Sequence, residues 1–176
     1  MYRRDVIYII YDKNSAVQYA LKYALEPNNN YIYYQDNDCT NFISQCLRAG
    51  GAQNDFNTSH PWWYNNGKNS ICWSVAHSLF WYIRVCTQEN RFGIKANTYY
   101  LNDNNKYKQD IEGLIKLGDI IQYKNYQDRI QHSTIITGFD NVDNEPLVSQ
   151  HTFEGRNVSW RKNFKQVIFH HITSIN

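Results

Sequence analysis

Apolar residues recur at three-and-four spacing through Ala16, Val17, Ala20, Leu21, Ala24 and Leu25, which predicts a first helix. Asn14 or Ser15 can cap its start, and Pro27 lies beyond its end. A polar stretch rich in Asn and Tyr follows, and the run YQDNDCTNFISQCL then returns to helical spacing until Gly50-Gly51. A second, short helix is therefore read from Cys39. Residues 54–70 carry Pro61, Gly67, several Asn and the pair Trp62-Trp63, the texture of an ordered loop anchored by its aromatics. A third helix, from Ser74 to about Glu89, is apolar or aromatic on nearly every turn and should be buried on more than one side.

Beyond Gly93 the period changes. Short β-prone runs at 94–101, 119–126, 132–139, 146–153 and 166–173 are separated by turn residues, most clearly at 141–145. Helices first and strands afterwards predict an α+β fold, with amino-terminal helices packed on an antiparallel sheet. Residues 1–176 show no repeat, low-complexity tract or linker and read as one domain.

Composition excludes some function classes. A net charge of +2, with Lys and Arg scattered, gives no nucleic-acid surface, and an apolar share of 42% argues against disorder. The 15 Tyr and 5 Trp are residues that line sugar or peptide grooves as readily as they fill a core. Four Cys without a C-x-x-C pair form neither a disulfide scaffold nor a zinc ribbon, and their pairing stays open. The amino end, MYRRDVIYIIYD, has too short an apolar run for a secretory core or a membrane span. The chain is thus either cytoplasmic or a trimmed part of a secreted or cell-envelope protein.

Cys39 carries the candidate chemistry. With Asp38 as N-cap, it stands at the first helical position, where unpaired N–H groups and the positive helix end favour a thiolate. Cys39, Phe42, Ile43 and Cys46 share one helix face, so the sulfur points toward whatever the helix packs on; Cys46, Cys72 and Cys86 read as packing residues. A nucleophilic thiol needs a base and a group to orient that base. His132 opens the strand run HSTIITGF, and His151 sits on the next run, VSQHTF. Pairing Gly138 with Leu147 sets His132 opposite Phe153 and His151 opposite Thr134, which puts both imidazoles on one face as diagonal neighbours. A slip of one residue would separate them. Oxyanion donors would come from the Cys39 backbone N–H and from Tyr33, Asp36 or Asn37. Trp62, Trp63 and Trp73 are candidates for walling the substrate cleft, while Trp81, inside the third helix, reads as core. The spacing of Cys and His does not match a metal site, and no cofactor is called for.

The segments YDKNSAVQYALKYAL, DNDCTNFISQCLRAGG, ICWSVAHSLFWYI, GDIIQYKN, HSTIITG and SQHT, in that order, resemble the bacterial putative amidase domain, a relative of the NlpC-like and CHAP cysteine hydrolases within the papain-like fold. The resemblance implies Cys39 as nucleophile, His132 as base and His151 as the polar residue that orients it. It also implies cleavage of amide bonds in peptides, cell-wall peptidoglycan stems among them. Two alternatives remain at this stage: a non-catalytic module of the same fold that binds glycan or peptide, and a cysteine acyltransferase.

Overall fold

The computed structural model describes residues 10–176, and most of the amino-terminal run discussed above lies outside them. Helix α1 spans Lys13–Tyr23 and buries Ala16, Val17 and Ala20. Its cap is Asp12 rather than Asn14 or Ser15, because the Asp12 carboxylate accepts the Ser15 N–H at 3.0 Å and the Ser15 hydroxyl at 2.6 Å. Helix α2 spans Cys39–Ala49, starting where the spacing placed it. It closes on two glycines: a Cβ at Gly50 would overlap the Tyr11 ring, and Gly51 adopts φ +105°.

The loop at 54–70 is more regular than its composition. Strands β1, Tyr64–Asn65, and β2, Lys68–Asn69, form a small hairpin whose turn residues Asn66 and Gly67 both take positive φ. The third predicted helix is α4, Ala76–Gln88, and a one-turn helix, α3, Ile71–Ser74, precedes it across Val75 in an extended conformation. The break lets α3 bury Cys72 and Trp73 while α4 buries Leu79, Phe80, Tyr82 and Ile83.

Five of the six strands of the main sheet match the predicted runs: β3 Lys95–Leu101, β4 Ile120–Lys124, β5 Ile130–Phe139, β6 Pro146–Gln150 and β8 Gln166–Ser174. The sixth, β7 Gly155–Ser159, is an exposed edge with no apolar alternation, so its period gave no signal. The one-turn helix α5, Tyr107–Asp110, was also not legible. The order is β3-β8-β4-β5-β6-β7, antiparallel throughout, which makes the fold α+β.

One face of the sheet meets the helices through Phe42, Ile43, Leu47, Ile83, Ile120, Ile135 and Ile172. The other is closed by Tyr107 of α5 and by Ile111 and Trp160 over Ile121, Tyr123, Ile136 and Phe169. Burial on both faces explains why β4 and β8 read as near-continuous apolar runs.

The β5–β6 pairing contains the feature that positions the site. Gly138 faces Leu147 and Phe139 faces Pro146, as expected, but Ile136 then faces Val148 and Ile135 faces Ser149. Thr137 is one residue too many, a β-bulge anchored by its hydroxyl, which donates to Asn157 Oδ1 at 2.7 Å and accepts from the Ser149 hydroxyl at 2.8 Å. Toward His132 the register is therefore slipped by one, and His132 and His151 fall on opposite faces. Among the described residues no helix is long and apolar enough to cross a membrane.

Candidate active site

Pairing between β5 and β6 ends at Ile135 and Ser149, and the amino end of α2 docks where the two strands part. The backbone N–H groups of Asp38 and Cys39 donate to Thr152 Oγ1 at 2.8 and 3.1 Å. Cys39 is 7% exposed and lines a cavity of about 340 Å³ together with Asn37, Ser74, Asn125, Arg129 and Gln131. Its sulfur lies 3.7 Å from Thr40 Oγ1 and faces the Ser133 N–H, one residue beyond His132.

Two electrostatic expectations are corrected. The helix end was expected to lower the Cys39 pKa, but burial pushes the thiol up, against the lowering effect of the Thr40 hydroxyl and the Ser133 and Thr40 N–H groups. The Cys39 backbone N–H, read as an oxyanion donor, is already given to Thr152.

Asp38 begins the helix but makes no side-chain capping bond. Its Oδ1 accepts from the Tyr34 N–H at 2.9 Å and from Asn41 Nδ2 at 2.8 Å, which ties the preceding loop to α2.

His132 stands at the start of β5 with its ring against Tyr123 and Phe153. Its Nε2 lies 3.1 Å from Gln150 Oε1. The tautomer follows from the partners. Gln150 Nε2 donates to the Phe153 carbonyl at 2.6 Å, so Gln150 Oε1 must be the acceptor, and the His132 proton sits on Nε2. Nδ1 is left with its lone pair and makes no hydrogen bond among the described residues. No hydrogen bond joins it to the Cys39 sulfur. Burial lowers the His132 pKa to about 4, so the ring is neutral near pH 7.

His151 does not occupy the orienting position. Its Nδ1 meets Asp38 Oδ2 at 2.5 Å, its Nε2 donates to the Tyr23 carbonyl at 2.7 Å, and its ring stacks on Phe42 with centroids 4.0 Å apart. Both nitrogens are committed to holding α1 and α2 together. The bulge at Thr137 is the cause, since it gives Gln150 the diagonal place beside His132 that the uninterrupted register assigned to His151. The polar residue was already visible inside SQHT, one position earlier.

The remaining candidates separate clearly. Asn37 lines the cavity, Asp36 is exposed and outside it, and Tyr33 donates to Glu154 Oε1 at 3.3 Å with its ring edge toward His151. Trp62 and Trp73 are fully buried core residues, not cleft walls; their indole N–H groups donate to Ser44 Oγ and Asn41 Oδ1. Trp63 stacks on Phe56 away from the cavity. Trp81, read as core, is 40% exposed and donates to His77 Nε2. Thr40, Ser133, Gln122 and Thr152 gave no sequence signal, because isolated hydroxyls and amides inside apolar runs resemble ordinary fillers. Among the described residues no group of three His, Cys, Asp or Glu side chains could hold a metal ion.

A thiol at a helix start, and a neutral imidazole on the strand that meets that helix, held at one nitrogen by an amide, are the residue types used in acyl transfer. The chain belongs to the putative amidase domain family, whose model matches residues 10–172. It is 37% identical over 153 residues to the uncharacterized protein YhbB of Bacillus subtilis (strain 168), a match covering 85% of this chain and 44% of that protein. It is 33% identical over 157 residues to the uncharacterized protein YjcM of the same organism, covering 84% of this chain and 32% of that protein. The chain thus spans less than half the length of either relative. No solved structure matches it at a significant level. Family membership points to amide-bond hydrolysis as the class of reaction.

Proposed function

We propose that this chain is a thiol-dependent amidohydrolase of papain-like build, in which Cys39 attacks an amide carbonyl and His132, oriented by Gln150, carries the proton. The observation that carries this reading is the chain Phe153 carbonyl–Gln150–His132, which puts the imidazole hydrogen on Nε2 and keeps Nδ1 as a base beside the strand position that faces the sulfur. The thiol proton moves to Nδ1 as the sulfur–carbon bond forms. The imidazolium returns it to the leaving amine as the carbon–nitrogen bond breaks. Water, deprotonated by the same nitrogen, then cleaves the thioester and restores the thiol. Asn37 is the oxyanion donor retained from the sequence candidates, since it lines the cavity.

Because the thiol stays protonated and the imidazole neutral near pH 7, the resting pair is uncharged. Its competent form carries one proton. Acid adds a second, to His132, so kcat/KM should fall as pH drops through about 4, not through the usual histidine range near 6.5. A pH–rate profile with its acid limb above about 6 would remove His132, in this neutral setting, as the base.

Arg129 is the one charged side chain lining the cavity, and its guanidinium has no partner among the described residues. This favours a substrate with a carboxylate near the scissile amide, a property of peptidoglycan stem peptides. Arg129→Gln is expected to raise KM about tenfold for such a substrate and leave kcat and uncharged amides nearly unaffected; equal effects on both substrate types would refute the role. The direct test of function is mass spectrometry of products from a panel of stem peptides and simple amides, run beside Cys39→Ala. Product formed equally by both proteins would defeat the proposal.

A further inference from the structure

A continuous polar chain runs through the core on the helix-facing side of the sheet, ending at the Cys39 sulfur. Thr98 Oγ1 lies 2.9 Å from His170 Nδ1, His170 Nε2 lies 3.1 Å from Gln122 Oε1, and Gln122 Nε2 lies 3.0 Å from both the Ala76 carbonyl and Ser133 Oγ. Ser133 Oγ is 3.0 Å from Thr40 Oγ1, which is 3.7 Å from the sulfur. Thr40, Gln122, Ser133 and His170 are each no more than 1% exposed. Such groups persist in a core only when their bonds are made.

The direction of every link is determined. The Ala76 carbonyl only accepts, so the Gln122 atom beside it is the NH₂ group, and that group also donates to Ser133. Gln122 Oε1 must then accept from His170 Nε2–H, which leaves His170 Nδ1 to accept from Thr98. Ser133, already an acceptor from Gln122, has its own hydrogen for Thr40. If Thr40 instead donated to Ser133, the Ser133 hydrogen would have no acceptor among the described residues. The Thr40 hydrogen is therefore free for the sulfur.

We infer that Thr40 is a catalytic residue that donates to the Cys39 thiolate as it forms, and that Ser133, Gln122 and His170 are positioning residues that hold its hydroxyl in that sense. This rests on Cys39 being the nucleophile. A hydroxyl aimed at the sulfur favours the charged form and partly offsets the burial that disfavours it. The other ionisable groups that face the sulfur or its cavity are Asp38, just before α2, and Arg129 in the β4–β5 turn. His170 is fully buried and its pKa is lowered to about 3, so the far end of the chain does not titrate near neutrality.

The test is the pH dependence of Cys39 alkylation by iodoacetamide, followed by peptide mass spectrometry, for the wild type, Thr40→Val, Thr40→Ser and Ser133→Ala. Removing the donor should move the inflection up by about one pH unit in Thr40→Val, less in Ser133→Ala, and restore it in Thr40→Ser. An unchanged inflection in folded Thr40→Val overturns the inference. If Thr40→Val does not fold, an unchanged inflection in Ser133→Ala does so. Alkylation needs no turnover, so this result is separable from the catalytic reading. Activity persisting in Cys39→Ala would end that reading, while these inflections would still report on the Thr40 hydrogen bond.

Discussion

Cys39→Ala is expected to lower turnover of any amide substrate by at least about 10⁴-fold while leaving the protein folded. The magnitude follows from the covalent step, because Cys39 is the thiol that lines the cavity among the described residues. Asn125, Gln131 and Arg129 can bind but cannot form a thioester. The fold should survive, since the change removes one sulfur from a residue at the end of the helix rather than from its packed middle. Phe42, Ile43 and Leu47, all fully buried, remain to hold α2 on the sheet. A loss on the order of 1 kcal/mol is the expected scale for such a deletion. Turnover should be measured with a thermal unfolding scan on the same preparation. A folded Cys39→Ala protein with wild-type turnover would show that the reaction does not use this thiol.

His151→Ala and Gln150→Ala should divide in opposite directions, although the residues are adjacent. Removing the His151 ring leaves the Asp38 carboxylate, 1% exposed, without its 2.5 Å partner, and removes the stack on Phe42 and the bond to the Tyr23 carbonyl. Breaking one side of a buried pair of this kind costs about 3–5 kcal/mol, so the denaturant midpoint should fall markedly. Gln150→Ala leaves those contacts in place but releases His132 Nε2, so the imidazole can rotate or change tautomer. Its expected signature is a kcat lower by roughly 10–100-fold, a smaller stability loss of about 1–2 kcal/mol, and partial recovery in Gln150→Asn. Chemical denaturation together with steady-state kinetics on the two variants separates the roles. A His151→Ala protein of normal stability and reduced kcat, beside an unaffected Gln150→Ala protein, would return the orienting role to His151.

Both roles turn on one residue that the linear pattern does not mark. The hairpin turn at 141–145 correctly brings Gly138 to Leu147, and a strand continued from there places His151 beside His132. Thr137 is β-branched and strand-prone, so nothing local distinguishes it from a regular strand residue. It bulges because its hydroxyl reaches Ser149 and Asn157, and Asn157 lies on β7, the strand whose polar sequence was silent. The tryptophans misled for a related reason. Trp62 and Trp73 sit in a polar loop segment, yet their indole N–H groups find Ser44 and Asn41 on α2, a satisfaction visible only once the loop is folded over the helix.

Local chemistry determined a good deal by itself. Apolar spacing placed α2 to start at Cys39, the change of period near Gly93 separated helices from strands, and the runs around β4, β5, β6 and β8 announced an antiparallel sheet. These are short-range properties, written in which side chains can share a helix face or a pleat. Only the tertiary structure decided which groups surround the sulfur. Its pKa direction is a balance between burial and donors from α2 and β5, and the partner of His132 depends on a one-residue bulge set by a hydrogen bond across three strands. Contacts between residues far apart in the chain carry no periodicity, so the candidate thiol was legible in YQDNDCTNFISQCL, and the company it keeps was not.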